Sequence, residues 1–250
     1  MSAPAATPND PAQARRSRAP ELWVVDAGQL PYSEATELQE RIRAARQVDA
    51  VPDVLLLLEH PPVYTKGRRS DTRAELPMGE DWYRAQGVEV TATDRGGRVT
   101  YHGPGQLVGY PIVRIGDVLE YVRSLERAVV TALADEGITA EVRSGLTGVW
   151  VGERKIGSIG VHVSRGVTTH GFAVNVDGDL QPFEWIVPCG IEGVRMTSVL
   201  RETRRVGAMG CFSRRVAWRV AEELGRRQRL VSLPRLRDAV EAPMPPGAAL

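Results

Sequence analysis

Apolar residues along this chain fall into two periods. Leu22-Trp23-Val24-Val25-Asp26 and Asp53 to Glu59 read as strands, and the unbroken run Val54-Leu55-Leu56-Leu57-Leu58 suits a strand buried on both faces. Between them Ser33 is predicted to cap a helix reaching about Gln47, with Ala35, Leu38, Ile42 and Ala45 on one face. Asp117 to Glu136 is the clearest amphipathic helix, with Val118, Tyr121, Val122, Leu125, Val129 and Leu133 as its stripe. Val88 to Thr93, Leu107 to Val113, Val149 to Val151, Lys155 to Val163 and Thr168 to Val176 read as strands, with Gly152-Glu153-Arg154 as a hairpin turn. A last helix is predicted from about Ser213 to Arg229. Between His60 and Arg68 the prolines Pro61 and Pro62 forbid helix, and the segment reads as a loop. Hairpins mixed with helices predict an α+β fold, a mixed sheet packed with helices rather than a doubly wound parallel sheet.

Composition sets the outer limits. Residues 1–20, rich in Ala, Pro and Arg, read as a disordered tail, 21–238 as a single domain and 239–250 as a flexible tail. The formal net charge of +1 offers no global attraction to nucleic acid or membrane, and no apolar run approaches the length that spans a bilayer. Local charge is another matter. Twelve arginines lie between Arg195 and Arg237 against Glu202, Glu222 and Glu223, a segment suited either to docking acidic proteins or to a solvated helix face. Two cysteines, Cys189 and Cys211, and no secretory signal point to the cytoplasm.

The chemistry concentrates in three places. Arg95-Gly96-Gly97-Arg98-Val99-Thr100-Tyr101-His102-Gly103-Pro104-Gly105-Gln106 is glycine-rich enough to bring backbone close to a ligand while its polar side chains supply charge and hydrogen bonds. Cys189 stands between Pro188 and Gly190, a setting for a thiol presented from a tight turn, and a thiol needs only a modest pKa shift to become a nucleophile. The alternative reading of Cys189 is inert packing, and Cys211 is expected to pack. Lys155, one of only two lysines with Lys66, could stabilise a thiolate as ammonium or take a proton as amine, which arginine cannot do; its bland alternative is a strand-edge lysine. His102 is a candidate site residue, whereas His162 and His170 read as core histidines. No HExxH or CxxC pattern occurs, so a metal is not expected, and the absence of GxxxxGK[ST] removes the simplest signature of nucleotide chemistry while leaving ATP in a different fold open.

Taken together these segments resemble the octanoyltransferases of lipoate biosynthesis, also called lipoate-protein ligase B. The match is carried by His60 to Thr65, Arg95 to Gln106, Gly148 to Gly160, His170-Gly171-Phe172-Ala173-Val174-Asn175-Val176, and Ile186 to Ile191 followed by Met196-Thr197-Ser198, in order over roughly residues 22 to 230. The resemblance implies a fold similar to the biotin/lipoate protein ligase catalytic domain. It implies transfer of octanoyl from octanoyl-acyl carrier protein to a lysine of lipoyl domains, those of 2-oxoacid dehydrogenase complexes and of the glycine cleavage H protein, with no cofactor. It assigns Cys189 as acyl-thioester nucleophile and Lys155 as its partner. Arg95, Gly96, Gly97, Arg98, Val99, Thr100, Tyr101, His102, Ser158, Ile159, Gly160, Gly171, Phe172 and Ala173 are then expected to line the acyl substrate. Three other classes remain: an ATP-dependent lipoate- or biotin-type ligase, a cysteine hydrolase pairing Cys189 with His102 or His170, and a non-catalytic lipoyl-domain binder.

Overall fold

The computed structural model describes residues 19–187 and 193–241. Its framework is a nine-stranded mixed sheet. The first strand, β1 (Glu21–Gln29), crosses over through helix α1 (Tyr32–Gln47) into β2 (Asp53–Glu59), which pairs parallel to it. Next across the sheet come β6 (Gln106–Ile112), β10 (Val167–Asn175), β9 (Arg154–Ser164), β8 (Leu146–Val151) and β7 (Glu141–Arg143), all antiparallel to their neighbours. A short β11 (Arg195–Met196) joins β9 in parallel.

Helices cover both faces, which is why β2 is apolar at every position of its run. Leu55 and Leu57 pack with α4 (Val118–Ala134) and α6 (Met209–Glu223), while Val54, Leu56 and Leu58 pack with α1 and α7 (Leu233–Glu241). Helix α4 begins as its sequence promises, with the Asp117 carboxylate accepting the Glu120 N–H at 2.7 Å, and buries Tyr121, Leu125, Val129 and Leu133.

A second sheet lies beside the first: β3 (Val63–Lys66) is flanked by β4 (Glu89–Ala92), parallel, and β5 (Thr100–His102), antiparallel. Helices α2 (Thr72–Glu75) and α3 (Glu80–Ala85) stand between β3 and β4 in the chain, and α5 (Val199–Thr203) follows β11. Tyr64, Tyr83, Val99, Tyr101 and Phe183 form its core.

Several boundaries depart from the sequence reading. Pro61 and Pro62 do exclude helix, but strand β3 begins immediately after them. Helix α1 opens at Tyr32 behind Pro31, with no side-chain cap, rather than at a capping Ser33. The last predicted helix is in fact α6, which starts earlier and ends at Glu223, because Gly225 turns the chain at φ +61°. Beyond it Arg227–Leu230 form β12, an edge strand parallel to β1, secured by Arg227 and Arg229 on Glu21. Cys211 is exposed on α6, and Phe212 takes the buried place beside it. Both terminal tails fall mostly outside the described residues.

The arginine-rich segment is largely spent inside the molecule. Arg205 and Arg215 pair with Glu136, Arg219 with Asp135, Arg226 with the buried Asp53, Arg227 and Arg229 with Glu21, and Arg237 with Glu34. These acids come from earlier in the chain, so a count confined to the segment overstates its free charge. No described helix is long and apolar enough to cross a membrane.

Candidate active site

One cavity of about 610 Å³ runs along β9 and β10, between the main sheet and the glycine-rich loop. Arg95, Gly96, Gly97, Arg98, Thr100, His102, Lys155, Ser158, Ile159, Gly160, Gly171, Phe172 and Ala173 all line it. The structure thus brings these thirteen residues named from the sequence to one cavity. Val99 and Tyr101 do not line it. They lie in and beside β5, where side chains alternate, and their side chains enter the core of the small sheet while Thr100 and His102 face the cavity.

Close backbone approach makes the loop possible. A Cβ at Gly160 would lie 2.8 Å from the Gly96 carbonyl oxygen, and one at Gly67 would lie 2.5 Å from that of Gly97. Arg95 is buried, and its guanidinium donates to the carbonyl oxygens of Thr65, Gly96 and Arg98. It therefore braces the loop from inside. Arg98 is tied to the buried Glu75 at 2.7 Å, and that carboxylate also accepts the Val99 N–H at 3.0 Å.

His102 is hydrogen-bonded into the protein. Its Nδ1–H donates to Gln106 Oε1 at 2.6 Å, Gln106 Nε2 donates to Asn175 Oδ1 at 2.9 Å, and Asn175 Nδ2 donates to the Thr197 carbonyl at 3.0 Å. Because carbonyl and amide oxygens only accept, the chain fixes the His102 tautomer. Behind it His60 donates from Nδ1 to the Leu30 carbonyl and accepts at Nε2 from the Tyr110 hydroxyl, each at 2.7 Å. Burial holds both imidazoles neutral: His60 is pushed down to about 4, and His102 well below its ordinary value, with the neighbouring His60 adding to the effect.

The far end of the cavity collects rings that the sequence reading left out. Tyr32 stacks over His102 with ring centroids 6.2 Å apart, and Tyr110 and His170 meet edge to face at 6.0 Å. His170 was expected to be core; it is buried, but it also lines the cavity, and its Nε2 lies 2.7 Å from Asp94. His162 reaches the same carboxylate at 3.5 Å. The His170 hydrogen bond, first among the causes, lowers Asp94 to about 2. His170 has φ +58°, a strained backbone for a non-glycine, and the Gln39 side chain holds its N–H at 2.6 Å. The one signal for these residues was His170 itself, directly before Gly171 within β10.

At the other end stands Lys155, 2 % exposed. A bulge places it there: Trp150 pairs with Lys155 and Val149 with Gly157, so Ile156 is the extra residue in β9, and such a bulge re-aims its neighbours. Its Nζ donates to the Thr147 carbonyl at 3.1 Å and lies 5.5 Å from the Trp150 ring centroid. The Lys155 carbonyl accepts the Thr197 N–H at 2.9 Å, and Met196 pairs beside it in β11. Cys189 lies outside the described residues, seven positions before Met196 in the sequence. Val118, Leu119 and Val122, from the first turns of α4, add an apolar stretch to the cavity wall. Among the described residues no group of three or more His, Cys, Asp or Glu could hold a metal ion.

Comparison with known proteins follows the same outline. The lipoyl protein ligase A/B catalytic domain pattern matches residues 31–217. An octanoyltransferase of Rubrobacter xylanophilus is 46% identical over 79% of this chain and 91% of its own, and one of Mycolicibacterium smegmatis is 44% identical over 84% and 92%. Among solved structures, a putative lipoate protein ligase from T. acidophilum with bound lipoic acid superposes with a TM-score of 0.72 at 18% identity, covering 88% of this chain and 92% of that one. At that identity the likeness speaks for the fold.

Proposed function

Given that the chain belongs to the lipoyl protein ligase A/B catalytic-domain family, and within it to the octanoyltransferases of lipoate biosynthesis, we propose that it works in two steps through an acyl-thioester on Cys189. The Cys189 thiolate attacks the thioester carbonyl of octanoyl-acyl carrier protein, and the tetrahedral intermediate expels the pantetheine sulfur, which takes a proton from the Lys155 ammonium and leaves as the thiol. A lysine amine of a lipoyl domain then attacks the acyl carbonyl on Cys189, gives a proton to the now neutral Lys155 and leaves as the amide, returning the Cys189 thiolate and the Lys155 ammonium. The first step exchanges one thioester for another and is near balance. The second makes an amide and runs downhill, so the transfer needs no ATP. The enzyme's task is to generate a thiolate, orient two protein-borne substrates in turn and stabilise developing charge.

One observation carries this reading: a buried lysine sits at one end of the cavity, beside the strand that follows Cys189 in sequence. As ammonium it favours the thiolate, and as amine it accepts the proton of the incoming lysine. The glycine walls and the apolar stretch suit an alkyl chain, each buried CH₂ contributing about 0.8 kcal/mol. Burial holds the His102 imidazole well below its ordinary value, which makes it a poor acceptor for a thiol proton and argues against a cysteine hydrolase built on it. The acceptors are the lipoyl domains of 2-oxoacid dehydrogenase complexes and the glycine cleavage H protein, in the cytoplasm.

The test is transfer to a purified lipoyl domain, followed by the mass of that domain. Octanoyl-acyl carrier protein should support modification by the wild type and not by Cys189→Ser, and free octanoate with ATP should support none. Modification by Cys189→Ser at the wild-type rate, or from octanoate and ATP, would overturn the reading.

A further inference from the structure

The corner that holds Lys155 contains a buried acid that the reaction as described does not use. Glu126, on the inner side of α4, is 6 % exposed, and its Oε1 accepts the Gly148 N–H at 3.2 Å. The carbonyl of that same peptide unit belongs to Thr147, and it accepts the Lys155 ammonium at 3.1 Å. A single peptide plane thus lies between carboxylate and ammonium, hydrogen-bonded at both ends. We propose that Glu126 is a positioning residue for Lys155, acting through the Thr147–Gly148 peptide. This rests on the role given to Lys155 above.

Two physical effects follow from the arrangement. A carboxylate on the N–H side polarises the peptide, draws electron density toward the carbonyl oxygen and strengthens the bond that oxygen makes to a cation, an effect enhanced by burial. The same negative charge lies across the peptide from Lys155 Nζ, so charge and hydrogen bond hold the Nζ to one position. Geometry adds a constraint, because the lysine stem crosses directly over the peptide. Gly148 adopts φ +125°, and a Cβ there would lie 2.7 Å from Lys155 Cε and 2.6 Å from the Gly157 carbonyl oxygen. Only glycine lets stem, peptide and carboxylate meet. Among the described residues the other charged groups around this corner are Arg143, against the Trp150 ring that Lys155 also approaches, its ion-pair partner Glu141, and the Arg154–Glu202 pair behind β11. Glu202 is occupied by Arg154 and the Thr197 hydroxyl. Among the described residues Glu126 is thus the acid that reaches Lys155 through a continuous hydrogen-bonded path.

The experiment compares full-length wild type, Glu126→Gln, Glu126→Asp and Lys155→Ala. It follows single-turnover acylation by octanoyl-acyl carrier protein from pH 6 to pH 10, with KM, kcat and thermal midpoint for each. Gln keeps an acceptor oxygen for Gly148 and removes the charge. The expected result is an unchanged KM and thermal midpoint with an alkaline limb displaced from that of the wild type, so that the rate falls most at the high-pH end. Glu126→Asp keeps the charge but shortens the reach to Gly148; it should lower kcat at constant KM with a smaller displacement of the limb. A folded Glu126→Gln enzyme whose limb does not move overturns the proposal, as does a lower thermal midpoint with uniformly reduced rates, which is the mark of a structural role. If Gln fails to fold, Asp with wild-type kinetics is the overturning result. Lys155→Ala separates the layers: activity there refutes the role of Lys155 itself, whereas an inactive Lys155→Ala beside an unmoved Glu126→Gln limb refutes only the relay.

Discussion

The two ends of the cavity are built on opposite electrostatic principles. The end walled by Tyr32, His102, Tyr110 and His170 is a network of polar rings, its two innermost imidazoles held neutral by burial. The Lys155 end places one ammonium against a carbonyl and an indole. An acyl chain and a reacting thioester make different demands, the first for an uncharged surface of fixed shape and the second for charge at one point. Polar residues can form an uncharged wall when their donors and acceptors are turned on one another. The His102–Gln106–Asn175–Thr197 chain does this, and because Thr197 also bonds the Lys155 carbonyl, the two ends share a support.

The largest expected effect breaks the charged end. Lys155→Arg keeps a cation but cannot act as base, and transfer should fall by about 10²- to 10⁴-fold with the fold intact by circular dichroism. A variant within threefold of wild type would reduce Lys155 to a charge donor. Gly148→Ala should follow, since it forces a side chain onto Lys155 Cε in a left-handed backbone. Roughly 1–3 kcal/mol of stability and most of the activity should be lost together, read by urea denaturation and transfer rate.

At the neutral end Gln106→Ala strips His102 Nδ1–H and Asn175 Oδ1 of their partners. Stability should drop by roughly 1–3 kcal/mol for each orphaned group, with a smaller effect on the chemical step than at Lys155. His60 sharpens the point through pH. Its folded value of about 4 lies below the unfolded 6.5, so the unfolded chain binds more protons between them and stability falls as pH drops through that window. The slope should approach about 1.4 kcal/mol per pH unit from this group, and His60→Gln should flatten it in denaturation series at pH 7, 6 and 5. The smallest effect belongs to neither end. Arg205→Ala removes an exposed partner of Glu136 and should cost under about 1 kcal/mol, leaving the salt dependence of transfer unchanged.

How much of this was legible depended on whether the cause was local. Helix α4 and strand β2 could be read from periodicity because burial on one face or two writes itself into the residues. Strand β12 could not: Arg227-Gln228-Arg229-Leu230 has no strand pattern, and its pairing comes from β1 and from Glu21 at the far end of the chain. Gly225, which ends the helix before it, was a visible stop signal that the apolar spacing outweighed. In the site, the glycine-rich wall was legible because close backbone approach demands glycine. The Val99 and Tyr101 alternation within it was readable but was masked by treating the segment as loop. Tyr32, Tyr110 and Glu126 were invisible, because each lies in an ordinary element and becomes part of the site only through contacts across long stretches of sequence.

The most direct test is the intact mass of the enzyme after incubation with octanoyl-acyl carrier protein alone, before any acceptor is added. The account predicts one octanoyl adduct on the wild type, removed by hydroxylamine, absent from Cys189→Ser and passed quantitatively to a lipoyl domain on addition. Transfer with no adduct at any time, or an adduct that persists on Cys189→Ser, would contradict it.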